Sequence, residues 1–182
     1  KFVDDIIVST DNLKTAELAV KYGAKAPFIR PPNLSEPFIG IEKVLSFTLE
    51  KLEEKNNYYD IVLLLDENYP FRKVDLIDMM IERFIASGDD VLVPGYVERR
   101  GFWIEQSGNI KQLDEDSFLP KKFKETRAII SLIGLCTIMH PSVIRNGDIF
   151  SKKVNIFKID DFSSTLSCND PNVIKLIKEK SL

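Results

Sequence analysis

The sequence predicts an α/β fold with a mainly parallel sheet and a β-hairpin insertion. Three observations carry that prediction. Short apolar, β-branched runs end in polar clusters; amphipathic segments of helical period alternate with them; and the pattern changes to hairpin signals after Pro94. The chain of 182 residues is long enough for one substantial core, so a single domain over 1–182 is expected, with 95–125 as the hairpin-bearing insertion.

The first run, Ile6-Ile7-Val8, ends in Ser9-Thr10-Asp11 and reads as an interior strand buried on both faces. Asp11 or Asn12 can cap the following helix, where Leu13, Ala16, Ala19 and Val20 recur at helical spacing and Gly23 offers a left-handed stop. Pro27 to Arg30 reads as a second strand, and Pro31-Pro32 forces an extended exit. A long helix follows, with Ile41, Val44, Leu45, Thr48, Leu49 and Leu52 on one stripe and Glu50, Lys51, Glu53, Glu54 and Lys55 on the solvated remainder.

Ile61 to Leu65 is the clearest buried-strand signal, and it stops at Asp66-Glu67-Asn68-Tyr69-Pro70. Leu76, Ile77, Met80, Ile81, Phe84 and Ile85 mark another amphipathic helix that Gly88 ends, and Val91-Leu92-Val93 reads as a fourth strand closing at Pro94. Ser107-Gly108-Asn109 between Phe102-Trp103-Ile104 and Ile110 to Leu113 reads as a hairpin turn. Val154 to Ile159 alternates imperfectly, and Pro171 to Lys180 reads as a closing helix with proline in its first turn.

Composition narrows the function classes. The charge of −3 and a pI near 5.3 give no general pull toward a nucleic-acid polymer. No apolar run approaches a membrane span, and the opening residues do not resemble a signal peptide, so the cytoplasm is the expected compartment. Cys136 and Cys168 have no CxxC partner or histidine cluster beside them, which leaves no zinc ligand set and favours reduced thiols.

In open α/β sheets, ligands bind beyond the carboxyl ends of the strands. That rule selects Ser9-Thr10-Asp11, Arg30, Asp66 to Arg72 and the Arg99-Arg100 region. Each has a plainer alternative. Asp11 could cap a helix, and Asp66 could serve as a loop-stabilising acceptor. Arg30 precedes two prolines, and a rigid loop can aim a guanidinium at phosphate or carboxylate. Asp160-Asp161 reads more readily as a solvated turn than as a metal pair. His140, ahead of Pro141, reads as a packed loop residue, and no Ser/His/Asp nucleophile arrangement is supported. Trp103 is expected to pack on the sheet.

Asp5 to Asp11, followed by Ala19 to Ala24, resembles a stretch of the acylneuraminate cytidylyltransferase family. Arg30-Pro31-Pro32-Asn33-Leu34-Ser35 resembles that family's Arg-Pro-x-x-Leu element, and Leu64 to Arg72 stands where the family carries Leu-Leu-Gln-Pro-Thr-Ser-Pro-Leu-Arg. The resemblance covers roughly the first half of the chain. It implies a Rossmann-like nucleotidyltransferase fold of the nucleotide-diphospho-sugar transferase type, with CTP and a nonulosonic sugar acid as substrates. The implied products are CMP-sugar and pyrophosphate, with Mg2+ assisting. It places Ser9, Thr10, Asp11, Arg30, Asp66 and Arg72 among nucleotide or substrate contacts. The hairpin region is implied in dimer contacts, so a homodimer is an expectation. Catalytic residues are left unassigned.

Three departures qualify what the family implies. Its basic Ala-Arg-x-Gly-Ser-Lys loop, which holds the triphosphate, should lie before the point where this chain opens. The expectation is an N-terminally incomplete domain, inactive as the isolated chain. The family's Gln is Asp66 here, and a carboxylate accepts hydrogen bonds where an amide also donates. The family's metal-binding acids before a closing Thr-Pro-Glu-Asp fall on Ser167-Cys168-Asn169, leaving Asp170, or Asp160 and Asp161 in a shifted alignment, as metal-ligand candidates. The alternative expectation is a non-catalytic binding or regulatory paralogue that dimerises with an active synthetase.

Overall fold

The computed structural model describes residues 2–98, 101–112 and 128–180. Its helices are α1 (Leu13–Lys21), α2 (Ile41–Glu53), α3 (Leu76–Ser87), α4 (Ile133–Cys136), α5 (Pro141–Arg145) and α6 (Pro171–Lys180). Its strands are β1 (Val62–Leu64), β2 (Val91–Glu98), β3 (Trp103–Gln106), β4 (Asn109–Gln112), β5 (Ala128–Ser131), β6 (Thr137–Met139) and β7 (Val154–Lys158). The main sheet has the hydrogen-bonded order β1-β6-β2-β5, with β7 also on β2, while β3 and β4 pair separately. The chain forms two compact units: 1–64, 74–92 and 138–155 make the first, and 65–73, 93–137 and 156–182 the second.

In the first unit Asn12, rather than Asp11, caps α1. Its Oδ1 accepts the N–H of Lys14 at 2.9 Å and of Thr15 at 3.2 Å. The helix stops where Gly23 takes φ +89, a conformation open to glycine and costly for other residues. The core of this unit is made by Leu49 and Leu52 of α2, Leu76, Met80, Ile81 and Phe84 of α3, Val91 and Leu92 of β2, and Ile138 and Met139 of β6. These are the positions at helical and strand period in the sequence, and their burial is the main stabilising term.

The edges of this unit depart from expectation. Ile6 to Val8 makes a single parallel bridge, Ile7 to Lys25, instead of a strand buried on both faces, and Ile6 is 58% exposed. The α1 stripe is likewise open, with only Ala16 buried. Pro27 to Arg30 forms no strand. Prolines at 27, 31 and 32 cannot donate to a ladder, and what remains is the Arg30 N–H donating to Thr10 O at 2.8 Å. His140 packs beside Phe84, with ring centroids 4.9 Å apart, and its Nδ1 lies 3.3 Å from Asp60 O, as a loop residue should.

In the second unit β2 runs past Pro94 to Glu98, because a proline costs the ladder one donor only. The Pro94 carbonyl still accepts the Leu132 N–H at 2.8 Å. Gly95 to Glu98 then pair antiparallel with Ser131 to Ala128. In the first unit Val91 and Leu92 also pair antiparallel, with Met139 and Ile138 of β6. Gly95 is required by a close approach, since a Cβ there would lie 2.8 Å from Ile129 Cγ2. Leu132, Leu135, Cys136, Thr137, Ile159, Ser164 and Val173 are buried in this unit.

The hairpin forms as expected. Ser107 at φ 53 and Gly108 at φ 78 supply the two left-handed residues that a two-residue hairpin turn needs, in register Gln106 to Asn109. Among the described residues β3 and β4 pair only with each other, and Trp103 is 62% exposed instead of packing on the main sheet. Of the 95–125 insertion, Arg99, Arg100 and 113–125 lie outside the described residues. Both cysteines are free thiols. Among the described residues no helix is long and apolar enough to cross a membrane.

Candidate functional site

The first unit brings Ser9, Thr10, Asp11 and Arg30 together. The Arg30 guanidinium is held from two sides: Nε donates to Ser35 Oγ at 3.1 Å and one Nη donates to Ser9 O at 3.3 Å. Its other Nη lies 4.0 Å from the Asp11 carboxylate, which is itself half exposed. Thr10 is buried, and its hydroxyl accepts the Asn12 N–H at 3.1 Å, which places the helix-capping residue. Ser9 Oγ accepts from the Thr48 hydroxyl of α2 at 3.0 Å. Of the N–H donors on Arg30, two make hydrogen bonds among the described residues. The remainder, with a loosely paired Asp11, form a partly open basic position at the end of the Ile6-Ile7-Val8 segment, suited to a phosphate or carboxylate.

The second unit places Asp66 and Arg72 in a different arrangement. Arg72 donates to four backbone carbonyls: Leu135 at 2.7 Å, Tyr69 at 2.9 Å, Gly134 at 3.1 Å, and Asp66. Burial of the guanidinium pulls its pKa below the ordinary arginine value, with the Cys136, Asp66 and Tyr69 groups opposing. Asp66 Oδ1 accepts the Asn68 N–H at 2.9 Å and the Asn68 side-chain amide at 2.7 Å, the loop-stabilising role open to an aspartate after a strand. The Asp66 N–H donates to Gly134 O at 2.7 Å. Gly134 leaves room for the aspartate: a Cβ there would sit 2.5 Å from Asp66 Cβ and 3.0 Å from Asp66 Oδ2. Burial drives the neighbouring Cys136 thiol up to about 12, with Arg72 opposing, so Cys136 stays protonated.

The acids considered for a metal do other things. The Asp161 carboxylate accepts from the hydroxyls of Ser163 and Ser164 and from the Ser164 N–H at 3.0 Å, capping a short 3-10 turn. Those bonds, led by the Ser164 hydroxyl, hold its pKa below the usual carboxylate range. Asp170 Oδ1 accepts the Asn172 N–H at 2.8 Å in the first turn of α6. Asp160 is exposed. Among the described residues no three His, Cys, Asp or Glu side chains gather where they could hold a metal ion.

Sequence reasoning missed Gly134, Ser35 and Thr48 as structural partners of these clusters. Ser35 belongs to the same Arg-Pro-Pro-Asn-Leu-Ser element as Arg30, and Thr48 lies on the inward stripe of α2. A glycine inside the apolar run 128–139 was the available signal for a close backbone approach at 134.

No family model matches the chain. Curated relatives do. Over 129 residues the chain is 30% identical to pseudaminic acid cytidylyltransferase of Campylobacter jejuni, covering 69% of this chain and 56% of that protein. Over 110 residues it is 30% identical to CMP-N,N′-diacetyllegionaminic acid synthase of Legionella pneumophila, covering 59% of this chain and 47% of that protein. Among solved structures, CMP:2-keto-3-deoxy-manno-octonic acid synthetase complexed with CTP matches with a TM-score of 0.66 at 11% identity, covering 98% of this chain and 81% of that one. The chain is thus similar in sequence to CMP-sialic-acid-synthetase-like cytidylyltransferases.

The structural likeness over nearly the whole chain shows a Rossmann-like fold of the nucleotidyltransferase type. The chain spans about half the length of the curated relatives it matches.

Proposed function

We propose that this chain takes part in cytidylyl transfer to a nonulosonic acid. In that reaction a sugar hydroxyl oxygen gives up its proton to solvent as it bonds to the α-phosphorus of CTP, and the bond from that phosphorus to the bridging oxygen breaks to release pyrophosphate. The observation that carries the reading is the Arg30 cluster. Ser9, Thr10 and Asp11, from the first polar turn, and Arg30, from the proline-bounded loop, converge with guanidinium donors to spare. Arg30 would hold an anionic group of the nucleotide or sugar acid by charge-assisted hydrogen bonds, and Ser9 and Ser35 would orient its side chain. Asp66, an acceptor only, would take a hydroxyl or amide N–H of the sugar rather than its carboxylate.

A binding role without turnover is favoured by one observation, the use of the Asp161 and Asp170 carboxylates as turn and helix caps. Two measurements on the same protein separate the readings. Calorimetric titration with CTP and with pseudaminic or N,N′-diacetyllegionaminic acid reads binding. CTP-dependent pyrophosphate release, with and without magnesium, reads turnover. Binding with turnover supports the transferase, binding alone supports the paralogue, and no binding of either ligand sinks both.

A further inference from the structure

The Asp66 loop and the α4 turn are fastened at one side chain. Arg72 reaches Asp66 O and Tyr69 O on one segment, and Gly134 O and Leu135 O on the other. The Asp66 N–H to Gly134 O bond joins the same two segments, and the absent Cβ of Gly134 makes room for the Asp66 side chain. The Asn68 carbonyl in turn accepts the Cys168 N–H at 2.8 Å, so this fastening extends to the segment before α6.

We infer that Arg72 is a positioning residue and not a ligand: through four carbonyls it fixes the Asp66 carboxylate over Gly134, and Asp66 is the group that reads the substrate. The carbonyls of Asp66 and Tyr69 lie on a loop held by few bonds of regular structure, so a planar cation with several donors is the side chain that can satisfy them together. A lysine ammonium could reach fewer of these acceptors and hold none in a fixed plane. The same carbonyls direct the guanidinium toward backbone, so that of the two arginines Arg30 is the one with more donors left for an anion.

The substrate-reading half of this inference rests on the proposed function; the fastening half does not. The test is amide hydrogen exchange of the whole 182-residue chain, followed by NMR, for Arg72→Met, Arg72→Lys and Gly134→Ala. Arg72→Met should speed exchange at Asp66, Asn68 and Cys168 by about tenfold or more while Val91, in the first unit, keeps its rate. Arg72→Lys should restore part of the protection. Uniform acceleration at all four amides, or none at Asp66 and Asn68, overturns the fastening. If Arg72→Met does not fold, the Lys variant carries the same comparison.

For the substrate half, pseudaminic acid is titrated into the wild type and Gly134→Ala, which keeps Arg72 and displaces Asp66. About tenfold weaker binding in Gly134→Ala supports the inference, and an unchanged affinity overturns it. If the wild type itself binds no sugar acid, the functional reading fails, this half falls with it, and the exchange result still decides whether Arg72 fastens the loop.

Discussion

Arg30 and Arg72 stand at matching places in the sequence, each in the polar turn after an apolar run, yet the chain uses them in opposite ways. Arg30 sits between a serine hydroxyl, a backbone carbonyl and a distant carboxylate, with donors left for a ligand. Arg72 gives its guanidinium to four carbonyls of its own unit. An arginine near a strand end is therefore not by itself an anion site. What decides is whether the surrounding backbone has already taken its donors.

The sharpest way to break this contrast is to remove each guanidinium in turn. Arg72→Met should cost about 3 kcal/mol of stability, because half-buried carbonyls lose a charged donor. Arg30→Met should cost less than about 1 kcal/mol, because Arg30 makes two hydrogen bonds where Arg72 makes four, but should weaken binding of CTP or the sugar acid by about tenfold or more. Chemical denaturation and calorimetric titration on both variants check the pair. If Arg30→Met loses the greater stability and Arg72→Met the greater affinity, the assignment is reversed.

Gly134→Ala sharpens the comparison from the other side. A Cβ 2.5 Å from Asp66 Cβ forces one segment to move, at about 1–3 kcal/mol, while leaving the Arg30 cluster in the first unit intact. The expected outcome is lowered stability together with unchanged CTP affinity if the nucleotide is held by Arg30. A stability equal to wild type would show that the loop relaxes freely, and that Asp66 is not tightly seated.

The helices and the hydrophobic core were legible because they depend on period. Leu49, Leu52, Met80, Ile81 and Phe84 are buried as their spacing requires, and Gly23 and Gly88 end their helices with positive φ. The turn at Ser107-Gly108 was legible for the same reason, since its chemistry is local. Strand pairing was not. Ile6 to Val8 carries the composition of an interior strand, but pairing needs neighbours, and among the described residues only Lys25 bonds to its backbone. β2 continues through Pro94 because β5, distant in sequence, supplies its partner. The site was half legible. Position picked out Ser9, Thr10, Asp11, Arg30, Asp66 and Arg72, but two of the four carbonyls that claim Arg72 come from residues 134 and 135, which no local pattern connects to it.

The smallest expected effect separates capping from ligand duty among the acids. Asp161 has a depressed pKa because hydroxyls of Ser164 and Ser163 and the Ser164 N–H bond to its ionised form. A depressed carboxylate adds stability above its unfolded value, near 3.8, and that contribution disappears as pH falls through the lower folded value. Asp161→Asn should therefore lie slightly below wild type in stability near neutral pH and converge with it under acid conditions, below the unfolded pKa. Denaturation midpoints of both proteins across that range test the sign. A difference that persists undiminished in acid would mean the carboxylate charge contributes nothing to the cap. A difference that grows when magnesium is added at neutral pH would mean that Asp161 serves a cation as well as the turn, and would remove the main support for the binding-only reading.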